Sequence, residues 1–325
     1  MGAPVTIVIP NWNGAALLKG LLEELRRQTL LPEQVIVVDN GSTDDSVAMA
    51  KNAGAAVIEL GENTGFSHAV NCGIQAAGTP WIVVLNNDVS PEPDWLANLM
   101  DGAATSDAWF ATGKLRDASA RGLIDGTFDA ISRGACSWRC GHGRPDSPLW
   151  DQARPIRFAP FTAALFRTEL FQRVGLLDEI FESYLEDIDF GIRCAAARFT
   201  GVYVPAAVAY HSGSATLGRW HPDTVRRIAR NQLLLVAKHY PRHWILRYGW
   251  PVLVGQGLWG FVALRHGTAL AYLRGKAEGL RQFREARGSF QESRPAVIEQ
   301  SEAEIRELQR LTGFDLYWRL YFALT

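Results

Sequence analysis

Four short apolar, β-branched runs, each closed by a polar break, constrain this chain's fold more than any other feature. They are Val5-Thr-Ile-Val-Ile9, Val35-Ile-Val-Val38, Ala56 to Leu60 and Trp81-Ile-Val-Val-Leu85. Unbroken apolar runs of this length belong to strands buried on both faces. Helical stretches fall between them: Leu17, Leu18, Leu21, Leu22 and Leu25 mark one helix face with Asn13 as its N-cap, and residues 46–53 and 66–77 mark two more. Strand–helix alternation at this spacing predicts an α/β fold, a doubly wound and mainly parallel sheet with right-handed crossovers. Residues 94–104 continue the pattern as a helix. From about 117 to 157 Gly, Arg, Ser, Pro and Trp dominate, which predicts a mobile loop over an active site. Order resumes at Phe158 and runs to a strand at 202–204; from Pro222 onward the pattern is helical and apolar with regularly placed Arg.

The net charge of −1 over 325 residues conceals an asymmetry. Residues 1–214 carry 16 Lys+Arg against 25 Asp+Glu, whereas residues 215–295 carry 14 against 4. A basic, Trp-rich segment interrupted by long apolar runs predicts an anionic membrane surface as partner and argues against nucleic acid. Residues 245–264 hold one charge, but Pro251 and four glycines disfavour a spanning helix, so a helix lying in the membrane interface is expected. Gly255-x-Gly257-x-x-Gly260 matches a dinucleotide fingerprint in letters only, because no strand precedes it. Met1-Gly-Ala-Pro leads straight into the first strand, so no signal peptide is expected. Four sparse cysteines point to a reducing, cytoplasmic setting, and Cys136-x3-Cys140-Gly-His142 lacks a fourth zinc ligand, which favours free thiols in a loop.

Chemistry concentrates where the strands end. Asp39 follows the second run and precedes Asn40-Gly41-Ser42; its carboxylate suits either a ribose or base contact or a turn cap. Asn86, Asn87 and Asp88 close the fourth run, and three polar residues there are hard to explain by packing. A hard cation, Mg²⁺ or Mn²⁺, takes oxygen ligands of this kind and shares them with substrate phosphates. Glu186, Asp187 and Asp189 crowd charge beside Tyr184, Leu185 and Phe190, which raises carboxyl pKa values toward those of a general base. The same trio also suits a helix N-terminus. His211 opens a polar, Gly-containing loop and is a candidate metal or phosphate contact, with a structural role equally open.

Val5–Asn13, Val37–Asp44, Glu62–Gly73, Leu85–Asp88, Glu186–Asp189 and His211 occur in the order and approximate spacing of the family 2 glycosyltransferases. Over roughly residues 4–217 the chain resembles the bacterial rhamnosyltransferase-like branch. The resemblance implies a GT-A fold in residues 1–217, an amphipathic helical region in 218–325, and inverting sugar transfer in cell-envelope glycan synthesis. By it, Pro10 and Asn11 line the nucleotide pocket and Asp39 contacts base or ribose. Asn63, Gly65 and Asn71 lie beside the donor, and Asn13, Asn40, Asn86 and Asn87 complete the donor set. Asp88 and His211 hold the divalent cation, Asp187 is the base, and Glu186 and Asp189 position it or the acceptor.

The implied donor is a dTDP- or UDP-sugar, dTDP-rhamnose first, with UDP-GlcNAc, UDP-Gal or UDP-Galf as alternatives. The implied acceptor is a glycan or polyprenyl-linked lipid at the inner face of the cytoplasmic membrane. Two departures from the family pattern stand out: Asn86 replaces the first acid of Asp-x-Asp, and Ala163 replaces a frequent Gly. A nucleotidyltransferase would need a basic phosphate loop after the first strand, and Pro10 to Gly14 offers no Lys or Arg. A non-catalytic sugar-nucleotide scaffold is the remaining rival.

Overall fold

The computed structural model describes residues 3–120, 122–213, 220–287 and 293–325. The first half runs β1 (Ala3–Asn11), α1 (Ala15–Leu25), β2 (Pro32–Asp39), α2 (Ser46–Asn52), β3 (Ala56–Glu59), α3 (Phe66–Ala76), β4 (Trp81–Leu85), β5 (Val89–Pro91) and α4 (Trp95–Thr105). After it come β6 (Phe110–Asp117), β7 (Ile124–Gly126), β8 (Asp129–Ile131), β9 (Ser137–Arg139), β10 (Arg154–Ile156), β11 (Ala163–Arg167), α5 (Thr168–Val174), α6 (Glu186–Ala196) and β12 (Gly201–His211). Five helices close the chain: α7 (Pro222–His239), α8 (Trp244–Arg265), α9 (Ala269–Gln282), α10 (Ser293–Thr312) and α11 (Leu316–Leu324).

The main sheet has the order β10-β12-β6-β11-β4-β1-β2-β3. β4, β1, β2 and β3 are mutually parallel, and β6 and β12 form a second parallel pair, joined through the antiparallel β11. β1 therefore lies between the strand that follows it and one that arrives later, so the chain winds in opposite directions on its two sides. The crevice at such a switch, beyond the strands' carboxyl ends, is where open α/β sheets bind ligands. Pleating sends Val5, Ile7 and Ile9 against α1 and α4, while Val8, with Ile36 and Val84, meets α3 on the other face. Burial on both faces explains why these strands carry no polar alternation.

The stretch 117–157 is not a mobile loop. Ile124, Phe128, Ala130, Ile131 and Trp150 are buried, β7 pairs with β6, and β8 pairs with β9. Its strands are three residues long, too short for periodicity to register, and their glycines allow tight approach: the Arg139 side chain crosses where a Cβ on Gly126 would stand. The last strand is also longer than its sequence suggests. An irregularity between Val204 and Val208 interrupts its pairing with β6, and β12 then continues to His211. Cys136 and Cys140 are free thiols in the loops flanking β9, as expected, though buried, and burial pushes the Cys136 thiol up to about 11.

The C-terminal helices share a core with the sheet domain. Leu234, Leu235, Val236 and Tyr240 pack with Ile131, Phe158, Phe181, Leu185 and Ile188. α9 lies close on α7 through Ala271, Gly275 and Gly279, and a Cβ on Gly275 would collide with the Arg226 carbonyl. The three glycines of the fingerprint-like run serve packing or face open space: Gly255 touches Gly134 and Gly260 faces Tyr272. No helix among the described residues is long and apolar enough to cross a membrane. Gly275→Ala should therefore lower stability by about 1–3 kcal/mol through overpacking, read as a fall in the thermal midpoint of the purified chain.

Candidate active site

The ends of β1, β2 and β4 meet in a set of polar braces. The Asn87 amide donates to Asn11 Oδ1 at 2.8 Å, directly over Gly14, where any side chain would displace it. Pro10 is half-buried one residue earlier. Asn13 does not cap α1. It sits at φ 49° and its Oδ1 accepts the Thr43 amide at 2.7 Å, while Asp44 takes the Ala15 amide at 2.9 Å. Sequence favoured Asn13 because Asn is a common cap, but the long-range Asp44 contact supplies that acceptor instead.

Asp39 Oδ2 accepts the Ser42 amide at 3.0 Å, and its buried Oδ1 has no partner. Asn40 braces the neighbouring loop, accepting from the Thr64 amide at 2.9 Å and donating to Asn63 Oδ1 and the Gly65 carbonyl, both at 3.2 Å. Gly65 takes φ 90° against the Glu182 backbone, a conformation that favours glycine. Asn71 differs from the expectation. Its amide is spent on Leu177 and Glu179, bonding the Leu177 carbonyl and amide at 2.9 and 3.0 Å, so it ties α3 to the segment before α6 and is not free to touch a donor.

β12 and β5 bring His211 to Asp88. His211 pairs in register with Val89, the Ser212 amide donates to the Asp88 carbonyl at 3.1 Å, and His211 Nε2 lies 3.3 Å from Asp88 Oδ1. On its other side His211 Nδ1 meets Asp125 Oδ2 at 2.8 Å. Burial alone would lower the His211 pKa, but the hydrogen bonds to Asp125 and Asp88 outweigh it and carry it to about 9. Burial opposes ionisation of Asp125 too, yet His142, His211 and Arg139 hold its carboxyl far below the ordinary range.

This donor set fits a divalent cation. A carboxylate and an imidazole converge, the imidazole's far nitrogen is fixed by a second carboxylate, and the buried Asn86 Oδ1 nearby has no partner. No three His, Cys, Asp or Glu side chains converge as a cage among the described residues. Mg²⁺ and Mn²⁺ sites completed by water and substrate phosphate need none.

The acidic helix α6 begins after a loop of unusual backbone. Glu182, Tyr184 and Leu185 all have positive φ, at 57°, 74° and 67°. Such residues cost about 1–3 kcal/mol each and persist only when their surroundings dictate them. Here α7 does so. The Asn231 amide donates to the carbonyls of Phe181, Ser183 and Tyr184 at 2.9, 2.9 and 2.7 Å, Arg230 donates to the Phe181 carbonyl at 2.8 Å, and Arg227 and Arg230 both grip the Glu182 carboxylate.

The loop delivers Asp187 half-buried at the first turn of α6, where its side chain hydrogen-bonds Asp129. Burial raises the Asp187 pKa against the pull of Arg139, and burial with the neighbouring Asp187 charge raises that of Glu186. The Glu186 Oε2 is buried without a partner. Asp189 is placed to position the base rather than the acceptor. It is wholly buried against Lys238 at 2.7 Å, His239 at 2.8 Å and Arg193 at 2.9 Å, so it anchors α6 to α7 and cannot touch a substrate.

Asp125, Asp129, Arg139 and Asn231 are the residues that sequence reasoning missed. The available signal was polarity inside apolar surroundings: the charges of Ile124-Asp125-Gly126 and Trp138-Arg139-Cys140, and the neutral amide of Asn231 on the buried face of α7. A separate hollow of about 510 Å³ lies between α8 and α10. There Arg133 and Arg247 pair with Glu302 and Glu299, and Arg306, Glu307 and Arg310 complete its charged lining.

Comparison with known proteins identifies the family and the fold. The family described as "Glycosyl transferase family 2" matches residues 6–175. An N-acetylglucosaminyl-diphospho-decaprenol L-rhamnosyltransferase of Mycobacterium tuberculosis is 28% identical over 274 residues, covering 75% of this chain and 87% of that protein. A Pyrobaculum calidifontis mannosyltransferase solved with GDP-Man and Mn²⁺ superposes with a TM-score of 0.53 at 17% identity, covering 99% of this chain and 87% of the other. GalNAc-T7 solved with UDP, GalNAc and Mn²⁺ gives 0.63 at 14% identity, covering 95% and 58%. These likenesses establish a GT-A fold followed by C-terminal helices. Asn231→Ala, which frees the strained loop, should cut turnover by about ten- to a hundredfold while leaving nucleotide binding by calorimetry intact.

Proposed function

The chain belongs to glycosyl transferase family 2, and from that premise we propose that it moves a sugar, rhamnose first, from a nucleoside diphosphate to a hydroxyl of a lipid-linked glycan, with inversion. One observation carries the reading: Asp88 and Asp187 are joined side to side through His211, Asp125, Arg139 and Asp129. That chain supports a cation-holding end and a base end serving one reaction centre. The acceptor class comes from the Mycobacterium relative, which is named for N-acetylglucosaminyl-diphospho-decaprenol.

The unpartnered Asp39 Oδ1 suits a hydroxyl or N–H of the nucleoside, beside Pro10 and Asn11. Asp88 and His211, with Asn86 Oδ1 at hand, would hold the cation, which when bound neutralises charge on the departing diphosphate. Asp187 takes the proton of the acceptor hydroxyl. The oxygen forms its bond to the anomeric carbon on the face opposite the diphosphate, and the pair of the breaking C–O bond leaves on that diphosphate. Glu186 lies next to the base and Asp189 fixes its helix.

The C-terminal helices support a peripheral, inner-face membrane location. Leu246, Trp250, Leu253, Phe261, Leu270 and Leu273 are largely exposed, and the segment's excess of Arg suits anionic lipid. Paired Trp250→Glu and Leu253→Glu changes should weaken co-sedimentation with phosphatidylglycerol vesicles by about tenfold or more; unchanged binding would refute the docking face.

Asp187→Asn keeps shape but cannot take a proton, so kcat should fall about a hundred- to ten-thousandfold with donor binding retained. Parallel loss of binding would remove Asp187 from the base role. Donor identity follows from nucleoside diphosphate release across a panel of dTDP- and UDP-sugars with Mn²⁺; silence with every donor would favour the scaffold reading.

A further inference from the structure

Asp129 is a buried acid that the mechanism above leaves unused. It stands at the start of β8, 6% exposed, with its own amide bonded to the Phe158 carbonyl at 3.1 Å. We propose that Asp129 is a positioning residue for the reaction: it shares one proton with Asp187, orients that carboxylate toward the acceptor, and sets the upper pH limit of catalysis. This rests on Asp187 being the base.

α6 packs on β8, so the two carboxyl groups are neighbours in a desolvated place, which favours one shared proton. An ionised carboxylate only accepts hydrogen bonds, so the bond between the Asp129 and Asp187 side chains exists only if one of them carries a hydrogen. The surrounding charges agree. Asp125 faces Asp129 from β7, Arg139 from β9, Glu186 and Asp187 from α6, and the neutral Cys140 thiol from the end of β9. α10, which packs on β8, contributes Ser301 to the Ile131 amide and commits Glu302 to Arg133.

Arg139 is the cation in direct reach of Asp129, and its closer bonds go elsewhere: Nη1 to Asp125 at 3.2 Å and Nη2 to Thr162 Oγ1 at 3.0 Å, leaving Nε 3.8 Å from Asp129. Four carboxyl groups around one guanidinium in a desolvated place cannot all be ionised. Burial raises the Asp129 pKa, Arg139 resists, and Asp187 and Asp125 push it on to about 8. The pair titrates as a unit, with Asp129 the side that keeps the proton.

At neutral pH Asp129 O–H donates to the Asp187 carboxylate, which remains anionic and pinned. During transfer the acceptor O–H bond breaks and an O–H bond forms on Asp187. The pair then holds two protons and returns one to solvent before the next turnover. As pH rises through about 8 the shared proton is lost. Two anions then repel across the former hydrogen bond, and the base leaves its pose.

The test is kcat against pH, by nucleoside diphosphate release, for the full chain and its D129N, D129A and D187N variants. D129A should lose about ten- to a hundredfold in kcat at pH 7 with donor KM unchanged. D129N, whose amide N–H replaces the carboxyl O–H, should recover most of that rate and lack the fall above pH 8 that the unaltered chain shows. If D129N keeps that fall, or if D129N and D129A are equally impaired while folded by thermal midpoint, the shared proton is refuted. Should D129A fail to fold, the D129N profile alone decides. D187N separates the two readings: full activity there overturns the base assignment itself, whereas an inactive D187N beside an unshifted D129N profile overturns only the role of Asp129.

Discussion

Asp125 answers two hydrogen-bond donors at once, the His211 imidazole on one side and the Arg139 guanidinium on the other. A carboxylate 9% exposed is stable only with such partners. Because the partners face opposite ways, satisfying this one charge also fixes the two halves of the crevice. His211 is turned so that its second nitrogen meets Asp88. Arg139 is stretched so that its stem covers Gly126 and its head reaches Thr162 and Asp129. Removal of the central carboxylate would leave the imidazole and the guanidinium seeking new partners, with the Asp88 and Asp187 ends no longer coupled.

The rest of the fold supplies the two ends. The reversal of winding at β1 brings Asn11, Asp39 and Asn86 to one edge, and the irregular stretch in β12 lets that strand resume pairing until His211 lies beside β5. At the other end the backbone before α6 is held in a conformation it would not keep alone. Two arginines and one asparagine of α7 compensate for it. Stiffness at the base is thus borrowed from a helix more than forty residues downstream.

The parallel half of the sheet was readable because its strands are long enough, and apolar enough on both faces, to identify themselves. β4 begins and ends at the residues expected, Trp81 and Leu85. Asp88, Asp187 and His211 were legible for a related reason, since polar residues at the ends of apolar runs have no packing role to fill. Asn71, and Asp189 as an acceptor contact, could not be separated from ligand-binding residues in sequence, because a buried polar side chain bonded to backbone or to a distant ion pair looks like one reserved for a ligand. Their partners, Leu177 for Asn71 and Lys238 with His239 for Asp189, are distant in the chain. The three-residue strands β7 to β9 were illegible in principle. Period-two alternation needs more residues than they have, and what stabilises them is contact with α10 and the sheet, not local propensity.

The clamp from α7 has a consequence for where the enzyme ends. A boundary drawn after residue 217 encloses every strand of the sheet and every acid of the crevice, yet leaves the Asn231 carboxamide and the Arg227–Arg230 pair outside. The segment that family membership identifies, residues 6–175, is shorter still and stops ahead of α6. The smallest piece that keeps the loop ahead of α6 clamped is therefore defined by who holds it, and it includes α7 through His239. What looks like an appendage to the sheet is, chemically, its last wall.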